Sequence, residues 1–320
     1  MAKLLPFRLR PWFRTRVWGV RDLSPWYDYK VVGEPIGEVW LSGDDSVVDS
    51  GPLAGRKFAD VFRDYAAELV GADDGHAERF PLLMKVLFPQ EKLSVQVHPG
   101  DAMARKYGEP HGKTECWYVL EAEPGAAVAL GLRRGTTLEQ VRAAIAGNTL
   151  EDLLQWVPVE KGDMIFVDAG TIHAIGPGVV LLETQQNSDM TYRLYDYGRP
   201  RELHLERGLE AIRLKTNAGK VKPCIVTRDG REDHTTLIES NYFRVDRYRL
   251  PESDATRDFA PPRAATVQLI FVASGSGSLH AKDSEPIRLR RGELAVVPAC
   301  VPEWSLTSAE PMEILRAVPR

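Results

Sequence analysis

The sequence predicts a mainly β protein built as two jelly-roll units with a few peripheral helices. Three observations predict it. Short runs of strand-forming residues bounded by Gly and Pro far outnumber helical stretches. One frame, a glycine followed by a short strand, a turn and a closing polar residue, occurs twice, at 162–173 and 292–303. Finally, 320 residues with 43% hydrophobic and 27% charged side chains have ordinary globular composition and the length for one large or two modest domains.

Taken in order, residues 1–21 hold six basic side chains and no acid. Pro6 and Pro11 break the amphipathic helix that an organelle address needs, so a structured first strand is expected there. A helix is expected over 52–70, where Leu53, Phe58, Val61, Phe62, Tyr65 and Leu69 fall near helical spacing before Gly71. A second, over 136–156, opens on a Thr136–Glu139 capping box and is interrupted at Asn148; a third spans 202–215. Strands are expected over 82–88, 93–98, 115–121, 127–132, 164–168, 179–185 and 191–196. The C-terminal part repeats the habit at 242–250, 266–273, 278–281, 287–289, 294–298 and 312–318. The stretch 216–235 reads as a polar connection, dividing the chain into units 1–215 and 216–320.

Composition excludes several classes of function. Forty-one Lys plus Arg against forty-five Asp plus Glu give a net charge of −4, with no broad positive field for nucleic acid. No apolar run approaches a membrane span. Cys116, Cys224 and Cys300 are isolated, which excludes a disulfide scaffold or a Cys-ligated zinc site and fits a reducing cytoplasm.

The repeated frame carries the first chemical signal. Residues 162–173 read GDMIFVDAGTIH, which resembles the second motif of the cupin superfamily, with Asp168 at the turn position where proline is usual. Residues 292–303 read GELAVVPACVPE: Pro298 is present, but Cys300 replaces the glycine and Glu303 the histidine. The first unit is thus equipped for a metal and the second is not. In LSVQVH, a period of two puts Ser94, Gln96 and His98 on one face, lining either solvent or a cavity. In GKTECWY the same rule groups Lys113, Glu115 and Trp117, and a large aromatic beside Glu115 argues for a cavity. With His173 the chain offers two imidazoles, a carboxylate and an amide oxygen, a set that suits zinc and also Fe, Mn or Co.

LSVQVHPGD, GKTECWYVL, AGTIHAIGPG and ETQQNSDMTYRLYDYGR, in this order, resemble the type I phosphomannose isomerases of the short bacterial branch. The opening W-G, PIGEVWLS and PLLMKV extend the likeness over most of the chain. The resemblance implies that Gln96, His98, Glu115 and His173 bind one zinc ion, and that mannose 6-phosphate and fructose 6-phosphate interconvert through a cis-enediolate. It implies a catalytic role for Arg193, proton-transfer or ring-opening roles for Lys113 and Asp189, and substrate contacts, the phosphate among them, from Ser94 and Lys85. A cation beside Lys113 is expected to lower its pKa. Gly100, where Asp is common, and His111 depart from the family pattern in loops. The alternatives are a cupin Fe(II)-type oxygenase and a non-catalytic sugar-phosphate-binding cupin. Against the first stand Gln96 and the Lys113, Asp189 and Arg193 set, which oxygen chemistry does not need.

Overall fold

The computed structural model describes residues 4–71, 78–228, 233–259 and 266–320. The fold is mainly β, as expected, and its four antiparallel sheets stack as layers. The first unit pairs two sheets. A seven-stranded sheet runs in the order Gly219–Lys220, Met164–Val167, Glu115–Ala122, Val179–Gln186, Leu82–Leu87, Ile36–Trp40, Trp12–Val20. A five-stranded sheet runs Tyr192–Tyr195, Val95–Val97, His173–Ile175, Ala127–Leu132, Leu154–Pro158. Strand alternation decides what lies between them. Trp117, Val119, Ile165 and Leu181 of the large sheet pack against Val128, Leu130 and Ile175 of the small one.

The other face of the large sheet, with Val39, Met84, Val86, Tyr118 and Leu182, joins the second unit. It shares a core with Phe243, Leu269, Phe271, Leu294 and Leu315 of an eight-stranded sheet. Helix Phe58–Val70 plugs this core with Phe58, Val61 and Phe62. A four-stranded sheet, Thr256–Phe259, Trp304–Ser308, Ser276–Ala281, Ile287–Arg290, closes the far side over Ile270, Val272, Ile314 and Trp304. Val95 and Val97 face outward against helices Leu138–Ala146 and Leu205–Ala211. Their neighbours in sequence, Ser94, Gln96 and His98, are therefore turned into the sandwich.

Several elements differ from expectation. The first helix begins at Phe58, because 52–57 are spent on a turn and a bridge, Val47 to Lys57. The cap of the second helix is Thr137 with Gln140, one residue later than read: Thr136 Oγ1 donates instead to Arg133 O at 2.8 Å, closing the preceding turn. That helix ends at Ala146, and Leu154–Pro158 is a strand on Ala127–Leu132. A short helix, Asp101–Lys106, lies where none was expected. Within 216–235, β-branched residues form strand Cys224–Arg228, paired with Asp233–Glu239. The first strand, Phe7–Arg10, joins the eight-stranded sheet beside Leu294–Val297.

Candidate active site

Three turns bring the site together. His98 closes the segment after Val95–Val97, Glu115 opens Glu115–Ala122, and His173 opens His173–Ile175. The registers fix their relative positions: His173 pairs with Gln96, and Glu115 lies between Val167 and Gln185. Gly170, at φ +90°, donates its N–H to His98 O at 2.8 Å and so ties two of the turns. A Cβ there would stand 2.7 Å from the Arg213 side chain, so the close approach requires glycine.

The imidazoles are prepared as ligands. His98 Nδ1 donates to Met190 O at 2.8 Å and His173 Nδ1 to Thr171 O at 2.9 Å, which leaves both Nε2 lone pairs turned toward Glu115. Burial pushes the His98 pKa well below its ordinary value and that of His173 down to about 4, so both rings are neutral near pH 7. His98 Nε2 is 3.6 Å from Glu115 Oε2 and His173 Nε2 is 3.5 Å from Oε1. All the offered ligand atoms lie within 4.8 Å of one another, a span that one divalent ion at about 2 Å from each can bridge. Glu115 is fully buried, and neither oxygen accepts a hydrogen bond of normal geometry from the described residues. The Lys113 ammonium lies 2.7 Å from Oε2, and the two Nε2 lone pairs are aimed at the same carboxylate, so the donor set fits a divalent metal. The amide of Gln96 adjoins the same point, with Nε2 3.2 Å from His173 Nε2; turned about its terminal bond it offers an oxygen there.

Lys113 borders this group. Its Nζ is 2.7 Å from Glu115 Oε2, 3.0 Å from His98 Nε2 and 3.8 Å from Glu183 Oε1. Burial opposes its charge, but Glu115 and Glu183 outweigh burial and hold its pKa above the usual lysine value. An ion that neutralises Glu115 removes the largest of the raising influences.

In front of the ligands opens a cavity of about 440 Å³, lined by Gln96, Lys113, Lys85, Ser94, Asp189 and Arg193 among others. Every other residue singled out for substrate or catalysis therefore meets the metal group in one place. Lys85 is deep in the wall, 3.4 Å from Glu183 and 4.6 Å above the Trp40 ring. Asp189 is 65% exposed at the mouth, 4.0 Å from Lys85 Nζ. Arg193 donates from Nη1 to Glu202 O at 2.9 Å. Glu183 and Gln185, which alternation placed on one face without choosing between interior and solvent, are both buried. Arg16, Trp18, Glu38 and Arg201 also line the cavity and were not read as site residues. The available signal was position: Trp18 is the first residue of the W-G pair, Arg16 lies two residues before it, and Glu38 lies in G-E-x-W.

Comparison with known proteins agrees with this geometry. Residues 7–136 match the model of the phosphomannose isomerase type I catalytic domain. The chain is 33% identical over 309 residues to the mannose-6-phosphate isomerase of Streptococcus mutans, covering 93% of this chain and 94% of that one. It is 36% identical over 287 residues to mannose-6-phosphate isomerase ManA of Bacillus subtilis, covering 86% and 87%. The chain belongs to the type I phosphomannose isomerase family. A crystal structure of the mannose 6-phosphate isomerase from Bacillus subtilis superposes with a TM-score of 0.87 at 28% identity, covering 98% of this chain and 99% of that one. The family model spans Gln96, His98, Lys113 and Glu115, whereas His173, Asp189 and Arg193 lie beyond it and are delivered by the fold. Among the described residues no helix is long and apolar enough to cross a membrane.

Proposed function

We propose that this isomerase interconverts mannose 6-phosphate and fructose 6-phosphate in the cytoplasm, using one zinc ion held by Gln96, His98, Glu115 and His173. The observation that carries the proposal is the cluster of His98, Glu115 and His173, all buried, with both imidazole Nε2 atoms turned toward one carboxylate and every offered ligand atom within 4.8 Å of the others. Zinc, when bound, supplies positive charge beside the sugar oxygens.

The reaction removes the proton on C2 of the open-chain aldose and returns it to C1, while a hydroxyl proton passes from O2 to O1. Arg193 does not lose its proton in practice, so it serves the enediolate as a fixed positive charge. Lys113, protonated and deep in the cavity, donates; Asp189, at the mouth, is the acceptor, and its exposure lets it exchange protons with solvent for ring opening. Ser94 and Lys85 line the inner wall and contact the sugar portion of the substrate. We assign residues 1–215 to the catalytic metal-binding cupin unit and 216–320 to a second, degenerate one that buttresses it, with Phe7–Arg10 and Gly219–Lys220 each crossing to pair in the other's sheet. In the second unit, Glu303, at the position of the ligand histidine, is exposed.

A coupled assay of the purified chain on mannose 6-phosphate tests the reading. Turnover that drops by several orders of magnitude in Glu115→Gln is expected. Oxygen consumption, or binding without turnover, would refute it.

A further inference from the structure

We infer that Arg16 and Arg201, which line the same cavity as Arg193, form the clamp that takes the phosphate dianion. This deepens the isomerase reading and rests on it for the identity of the sugar.

The two inner-wall candidates for phosphate are poorly placed. The Lys85 ammonium is 4% exposed and already lies 3.4 Å from the Glu183 carboxylate. Ser94 is 3% exposed and donates to Gln96 Oε1 at 3.3 Å. A dianion that keeps part of its hydration belongs nearer the solvent, where the arginines are.

Arg16 and Arg201 are each half-buried and preset by a fork onto a carboxylate. Arg16 donates from Nε and Nη2 to Glu38 at 3.1 and 2.8 Å. Arg201 donates from Nε and Nη2 to Asp196, both at 2.6 Å. Glu38 is locked in turn by Trp40 Nε1 at 2.7 Å, and Asp196 by Arg199 at 2.9 Å. The guanidinium planes are thus fixed before any ligand arrives, and N–H groups remain on each for a further acceptor.

The backbone aims them. Strand Trp12–Val20 slips register against Ile36–Trp40 on either side of Thr15, a bulge that turns Arg16 out of the ladder. Gly37 makes room for it: a Cβ there would lie 2.5 Å from Arg16 Cβ and 2.6 Å from the Trp18 ring. Arg201 follows the strand that carries Arg193, and all three line the same cavity. Arg193 itself has a buried Nε with no hydrogen-bond partner among the described residues. It also sits in the field of Arg201, Arg199 and Arg16, with Asp196 opposing them. Over the whole lining, Arg16, Lys85, Lys113, Arg193 and Arg201 face Glu38, Glu183 and Asp189, so basic side chains are in excess and the wall is complementary to an anion.

Calorimetric titration of the full metal-loaded chain with inorganic phosphate, mannose 6-phosphate and mannose tests the clamp. Arg16→Gln and Arg201→Gln should each weaken phosphate and mannose 6-phosphate about tenfold or more and leave any affinity for mannose unchanged. Arg10→Gln, on an exposed arginine paired with Asp49, should keep the wild-type affinities. If a glutamine variant misfolds by near-UV circular dichroism, Arg16→Lys and Arg201→Lys take its place. They keep the charge without the fork and should lose severalfold. Folded variants that bind inorganic phosphate as tightly as wild type overturn the clamp. A wild-type chain that binds phosphate through these arginines but does not turn over mannose 6-phosphate supports the clamp and refutes the isomerase reading.

Discussion

Glu115 is the residue on which the chemistry turns, because His98, His173 and Lys113 all converge on its buried carboxylate in the first unit. Glu115→Gln keeps the shape and removes the anion. It should lose zinc affinity by more than about hundredfold in a chelator competition, with the near-UV circular dichroism spectrum unchanged. A second buried carboxylate, Asp246, shows the opposite use of charge. Burial pushes its pKa up, but His234, Arg244 and Arg316 outweigh burial and hold it well below the usual carboxylate range. A depressed folded pKa contributes stability that is present above the unfolded value, about 3.9, and lost as pH falls through the folded one. Asp246→Asn should therefore cost about 3 kcal/mol at pH 7 in urea unfolding, and its deficit should narrow only below about pH 4. A deficit that stays constant down to pH 3 would contradict this assignment.

Elements differ in how far their sequences specify them. Thr137 both accepts from Gln140 N–H and has its own N–H bound by Gln140 Oε1, so Thr137→Ala should cost about 1 kcal/mol in thermal or urea denaturation. Gly37→Ala should cost more, and lower activity as well, because the methyl collides with the two side chains that line the mouth. The metal strand was legible: its alternation put Ser94, Gln96 and His98 together, and the structure turns them inward against outward Val95 and Val97. Lys113 with Glu115 was legible by the same period. The cap register was not, since T-T-L-E-Q contains two overlapping boxes and only the turn made by Thr136 selects between them. Arg16 was hidden because it sits next to a register slip in its strand, where a period of two does not tell which face a side chain takes. Glu183 was half legible: periodicity gave its face, but only packing against Lys85 and Lys113 shows that the face is interior.

Across the whole molecule, the two units are joined through apolar side chains. Met84, Val86 and Tyr118 of the first lie in one core with Phe243, Phe271 and Leu315 of the second, and Phe7 crosses from the N-terminus into the second unit's sheet. Tyr242 of the second unit donates to Asp101 at 3.0 Å, and Asp101 in turn accepts from Gly112 N–H beside Lys113. Scanning calorimetry should accordingly record one cooperative transition, and two well-separated transitions would contradict the shared core. The sheet that carries Glu115 is thus backed by the apolar side chains of the eight-stranded sheet. The most direct test of the central claim is isomerase turnover after exhaustive chelation and after return of zinc. The account predicts that turnover is abolished and then restored by about one ion per chain; turnover that survives complete removal of metal would contradict it.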